Sequence, residues 1–175
     1  MENNKLSPTS LAFIALSNEY CQLVENCGDY GREGLIDALI KLLPRIYITV
    51  TDLEPVLDYF DSMVSQLLDE PTYEMVRGNL SAIMGEDDVY LEVFLDDMKY
   101  SDTPIATSIS ENLADLYQEF YNTVASLRDL NTDEQRQILG VCKENFVEFW
   151  GQTLCNVLRA LHSLKVNHYN YDDNY

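Results

Sequence analysis

The chain has 175 residues, 46% of them hydrophobic, and 30 acidic against 11 basic side chains give it a formal net charge of -19. That length is one domain, able to bury a core without disulfide or metal staples. The charge argues against nucleic acid and anionic membrane surfaces as partners, because both require clustered Lys and Arg, and no stretch supplies such a cluster.

Ser7-Pro8 reads as an N-cap followed by proline at the first helical position. Phe13, Leu16, Tyr20, Val24 and Cys27 then repeat at helical spacing, and Gly28 is expected to stop the helix. LIDALIKLLPRIYITV is apolar almost all round, as in a helix surrounded by neighbours, and Pro44 should bend it by freeing the carbonyl of Ile40. Leu57, Phe60, Val64 and Leu67 predict a third helix between Pro55 and Pro71. Thr72 should cap a fourth, with Tyr73, Val76, Leu80 and Ile83 inward and Gly85 at its end. In EDDVYLEVFLDDMKYSD, Val89, Leu91, Val93 and Leu95 alternate like a strand, while Tyr90, Leu91, Phe94, Leu95 and Met98 fit a helix. A short helix or irregular segment is the preferred reading.

Ser108-Ile-Ser-Glu111 is a capping box, opening a helix with Ile109, Leu113, Leu116, Tyr117, Phe120, Val124 and Leu127 on one face. Thr132-Asp-Glu-Gln135 reads as a second box, opening the longest helix, from about Asp133 to Lys165, in which Gly140 and Gly151 mark a close crossing or a break. The fold expected is all-α: a single domain over residues 1–166, a bundle of six or seven helices with a long C-terminal one. Residues 167–175, NHYNYDDNY, are expected to form a flexible acidic and Tyr/Asn-rich tail holding His168.

Within FWGQTLCNVLRALHSL, Phe146, Phe149, Trp150, Thr153, Leu154, Val157, Leu161 and Leu164 fall on one face, the expected core stripe. Glu148, Gln152, Cys155, Arg159 and His162 form a polar stripe opposite. That stripe is a solvated helix back, or an anion pocket at Arg159 and His162, or a thiol at Cys155 acidified by Arg159. Cys155 and His162 are about 10 Å apart along one helix, too far to share a zinc ion. Glu111, Asp115, Gln118 and Asn122 make the polar face of the capping-box helix, with Asp115 a candidate ion-pair partner for Arg159. Asp88, Glu92 and Asp96, aligned only if their segment is helical, could hold magnesium with help from another helix. A solvated loop is the simpler reading there.

No calcium loop, Glu-x-x-His pair, P-loop, dinucleotide fingerprint, G-x-S-x-G or H-E-x-x-H occurs, and there are only two histidines. No catalytic residue, metal site or cofactor is therefore assigned. Cys21, Cys27, Cys142 and Cys155 show no metal spacing, the N-terminus lacks signal-peptide character, and no apolar run approaches the ~18 residues of a membrane span. A cytoplasmic protein with reduced thiols is expected.

Leu113-Ala-Asp-Leu-Tyr117, followed by Trp150-Gly151 and Leu158-Arg-Ala-Leu-His162, resembles the bacterial family named domain of unknown function 5063, over about residues 108–165. The resemblance implies a soluble helical domain and carries no activity. It also implies histidines flanking Trp-Gly, where this chain has Phe149 and Gln152, so any metal role of such histidines would be lost here. The function expected is a non-catalytic binding or interaction module with a protein partner, basic if charge guides it, and homo-oligomerisation is left open. The alternative is a small-anion ligand-binding protein or enzyme, with Asp115, Tyr117, Trp150, Arg159 and His162 converging between the last two long helices.

Overall fold

The computed structural model describes residues 5–55, 64–92 and 105–172, with side chains to residue 167. Helix α1, Pro8–Glu25, starts as its sequence suggests: the Ser7 hydroxyl accepts from the Ser10 amide, and Pro8 fills the first turn. The helix ends at Asn26 rather than Gly28. Helix α2, Cys27–Thr51, follows at once, and it is Gly31 that carries the break, at φ 64°, where a side chain would be strained. Beyond Gly31 the helix continues through Pro44 to its C-cap at Asp52, and Leu35, Ile36, Leu39, Leu42, Leu43, Ile46 and Val50 are buried along it.

The third predicted helix is not observed in the part that is described. Residues 56–63, with Leu57 and Phe60, lie outside the described residues, and Val64 to Leu67 has no regular secondary structure. Asn122 explains this segment: its Oδ1 accepts from the amides of Leu67 and Leu68 at 2.9 and 2.8 Å, and its Nδ2 donates to Gln66. A buried asparagine thus supplies the backbone partners that a helix would otherwise have to supply. Helix α3, Glu70–Met84, is capped by Asp69, which accepts from the Thr72 amide, so the cap lies three residues before the one expected. Gly85, at φ 60°, ends it.

The ambiguous acidic segment resolves in favour of its alternation. After a 3-10 turn at Gly85–Asp87, strand β1, Val89–Leu91, pairs antiparallel with β2, Ala106–Ser108. The expectation of a helix or irregular chain fails at 89–91, and residues 93–104, including Asp96, lie outside the described residues. Among the described residues the molecule is therefore mostly helical with one small ribbon, rather than all-α.

Helix α4, Ile109–Ser126, leaves β2 directly, with Ser108 accepting from the Glu111 amide. It packs against α1, α3 and the C-terminal helices, and Phe120 lies at its centre. That ring meets Phe13, Tyr20 and Trp150 edge-on at 6.3, 5.1 and 5.1 Å. Helix α5, Thr132–Asn145, has its capping box one residue earlier than expected: Asn131 is the cap and Glu134 its partner. One π turn, Phe146–Trp150, joins it to α6, Gly151–Asp172. The long C-terminal rod is thus real but interrupted, and it runs on past Asn167. Six α-helical segments, two of them fused through the π turn, stand among the described residues, which does not match six or seven separate helices.

Candidate functional site

The π turn decides what the C-terminal rod presents. The Gly151 amide donates to the Phe146 carbonyl five residues back, so one residue is added to the helix and the downstream faces rotate by about 100°. Phe146 and Trp150 point inward, their ring centroids 4.8 Å apart, and the Trp150 indole donates to the Cys142 carbonyl at 3.3 Å. Phe149, expected in the core, is instead 66% exposed, and Val147 beside it 73%. The rest of the predicted stripe holds at Trp150, Leu154, Val157 and Leu161, all buried.

Gly151 is what lets this turn close. A Cβ built there would lie 2.5 Å from the Phe146 carbonyl oxygen and 2.8 and 2.9 Å from two atoms of the Phe146 ring. No side chain fits.

Between the π turn and α4 lies a cleft of about 490 Å³ lined by Glu92, Asp115, Gln118, Glu119, Glu148, Phe149, Trp150, Gln152 and Thr153. Four of these are carboxylates and none is a cation. The Asp115 Oδ1 accepts from the Tyr73 hydroxyl at 2.7 Å. Desolvation holds the Asp115 carboxyl above its usual value against that bond, and Glu111 adds to the rise. Glu119 is likewise raised, mainly by desolvation and further by Asp115, while a bond with Asn145 opposes it. These two acids sit one helical turn apart on α4, where like charges repel.

The five residues expected to converge are dispersed. Asp115 and Trp150 share this cleft. Arg159 lines another cavity, of about 360 Å³, beside the ribbon with Glu86, Asp87 and Tyr90. Tyr117 faces α1, donating from its hydroxyl to Glu25 at 2.8 Å. His162 is exposed and lines neither cavity. The Asp115–Arg159 ion pair does not form, and Asp115 uses Tyr73 instead. Nor does Arg159 acidify Cys155, whose thiol is raised by partial burial. Asp88, read as part of a solvated row, is buried beneath the start of α4. Of the lining, Glu119 had no place in the sequence reading and Phe149 was expected in the core, whereas Glu148 and Gln152 come from the polar stripe and Gln118 from the polar face of α4; the Asp115/Glu119 pair at i, i+4 was the readable sign of the cleft.

Among the described residues no group of three or more His, Cys, Asp and Glu is arranged to hold a metal ion, and no helix is long and apolar enough to cross a membrane. The model of the family "Domain of unknown function (DUF5063)" matches residues 4–167. This chain belongs to the DUF5063 family. Protein BF1032 from Bacteroides fragilis, known from a crystal structure, is similar to this DUF5063 member at 30% sequence identity and a TM-score of 0.78, over 91% of this chain and 93% of the other. No curated protein matches in sequence.

Proposed function

We propose that this DUF5063 protein is a binding module without catalysis of its own, and that the cleft between α4 and the π turn takes a cationic group, an amine or guanidinium. The supporting observation is the lining: four carboxylates without a cation among the described residues that form it, two raised by desolvation, beside the exposed ring of Phe149. A bound cation would relieve the repulsion between Asp115 and Glu119 and gain from the exposed ring of Phe149.

Trp150 is the single tryptophan of the chain and lines the cleft, so its fluorescence reports occupancy. Arginine methyl ester and n-butylamine, titrated at matched ionic strength, are expected to give saturable changes at roughly millimolar concentration. Glu119→Gln should weaken both at least tenfold. A linear, salt-like response in the wild type would sink the reading.

The raised acids also predict a pH effect. A carboxyl that binds its proton more tightly folded than unfolded adds stability below its ordinary value, 3.8 for Asp115 and 4.5 for Glu119, and that contribution is lost as the pH rises through the raised value. Glu119→Gln, which cannot ionise, is therefore expected to melt slightly higher than wild type at neutral pH, by roughly 1–2 °C given the partial exposure of the group. The difference should disappear in acid. Equal melting temperatures at neutral pH would mean that Glu119 carries no electrostatic cost.

A further inference from the structure

The cleft is one flank of a larger feature. Val147, Glu148 and Phe149 are three successive exposed residues on the π turn, and the two apolar ones are 73% and 66% exposed. On the far flank lies a second hollow of about 410 Å³, to which Val147, Glu144, Lys143 and Glu148 contribute. Glu148 lines both hollows. The one lysine there is already engaged: Lys143 Nζ donates to the carbonyls of Thr51, at 3.1 Å, and Leu53 at the end of α2. Its charge serves that helix terminus. The ridge therefore offers apolar side chains at its crest, four carboxylates on the cleft side, and on the other side Glu144 and the shared Glu148 against the single charge of Lys143, with Pro55 and Gly140 completing that hollow.

We infer that this ridge docks a basic, amphipathic segment of a partner protein, which places its apolar side chains on Val147 and Phe149 and its cations in the two hollows. The inference rests on the cationic reading of the cleft and names its source. A single small amine fills one hollow and leaves the apolar crest uncovered. A second copy of this chain would bring a further -19 of charge against the same carboxylates. Nucleic acid and anionic membranes meet the same repulsion. A segment with cations on either side of an apolar strip matches both the charge and the exposed apolar surface.

The test uses the full chain and three probes at matched ionic strength: a synthetic amphipathic lysine/leucine peptide, oligolysine of equal charge, and spermine. Calorimetry is expected to show the amphipathic peptide binding at least tenfold more tightly than either of the others. Val147→Ser combined with Phe149→Ser, both at exposed positions, should keep the wild-type melting curve and reduce the peptide to the level of oligolysine. Absence of peptide binding, equal binding of peptide and oligolysine, or full binding by the double variant would each overturn the inference. Spermine binding as tightly as the peptide would make the ligand a small polyamine. Self-association of the wild type that the double variant loses would make the ridge a contact between copies; either result overturns the assignment. Arginine methyl ester separates this from the cleft reading. Ester binding that Glu119→Gln abolishes, with no ridge effect, sinks only the ridge, whereas a ridge effect without ester binding sinks the cleft reading and with it the placing of the partner's cations there.

Discussion

Gly151→Ala is expected to lower the melting temperature by roughly 4–8 °C, although glycine to alanine inside a helix ordinarily stabilises by up to about 1 kcal/mol. The sign reverses because of what the new methyl group meets. It would lie 2.5 Å from the Phe146 carbonyl oxygen and under 3 Å from that residue's ring. The ring cannot simply move aside, being packed edge-on against Trp150 and also against Tyr47 at 5.1 Å. Nor can the helix shed its extra residue at low cost. Removing the π turn would rotate α5 by about 100° against α6 and expose one of two buried stripes. Overpacking of this kind costs about 1–3 kcal/mol, and a domain of this size loses roughly 2–4 °C per kcal/mol. Gly78, exposed on α3 with open space for 4 Å around the place a Cβ would take, is the control, and its alanine variant should be neutral or slightly stabilising. Thermal unfolding by circular dichroism, together with Trp150 fluorescence, gives the readout. A Gly151→Ala protein that melts at or above wild type would show that the close approach is not limiting.

Asp88→Ala should cost still more in proportion to its size, on the order of 2–4 kcal/mol. Asp88 is 7% exposed and sits where β1 begins, beneath the first turn of α4. Its Oδ1 accepts from the Ser110 amide at 2.8 Å, and its Oδ2 from the Ser110 and Ser81 hydroxyls at 2.7 and 3.0 Å. Its own carbonyl takes the Ile109 amide at 2.7 Å. The carboxylate is thus a second cap on α4, delivered from 22 residues away, and a tie between α3, the ribbon and α4. Alanine would leave a buried amide and two hydroxyls without their acceptor. Asp88→Asn keeps the shape and one acceptor oxygen, and should lose about half as much. Chemical denaturation of the two variants measures both values; losses within about 0.5 kcal/mol of zero for both would mean that water replaces the carboxylate freely.

The helices were legible wherever a local cue coincided with periodicity. Ser7-Pro8, Ser108 with Glu111, and Gly85 each end or begin a helix where they should, because capping is chemistry of neighbouring residues. Other local cues, at Gly28, Thr72 and Thr132, missed their boundary by one to three residues; the larger failures were non-local. Val64 to Leu68 lost its helix to Asn122, more than fifty positions away, and Asp88 looked like surface because its serine partners come from other elements. The dispersal of Asp115, Arg159 and Tyr117 has the same origin, since helical spacing states which residues share a face but not what that face meets. The π turn, by contrast, left a trace. Ile138, Cys142, Phe146, Trp150 and Leu154 are all buried at a constant spacing of four, longer than the 3.6 of an α-helix can keep on one line. That drift is the signature of an added residue, and it is what turned Phe149 outward and made the cleft.

The cysteines have a practical consequence for work on this cleft. Cys21, Cys27 and Cys142 are buried, and burial pushes the Cys21 and Cys142 thiols up to about 12, so little thiolate exists there to react in the native protein. Cys155 is the exposed one, about one turn along α6 from Gln152 of the cleft. A maleimide-linked fluorophore or spin label applied to the unaltered protein is therefore directed to a single position beside the cleft, and the molecule arrives with its own attachment point.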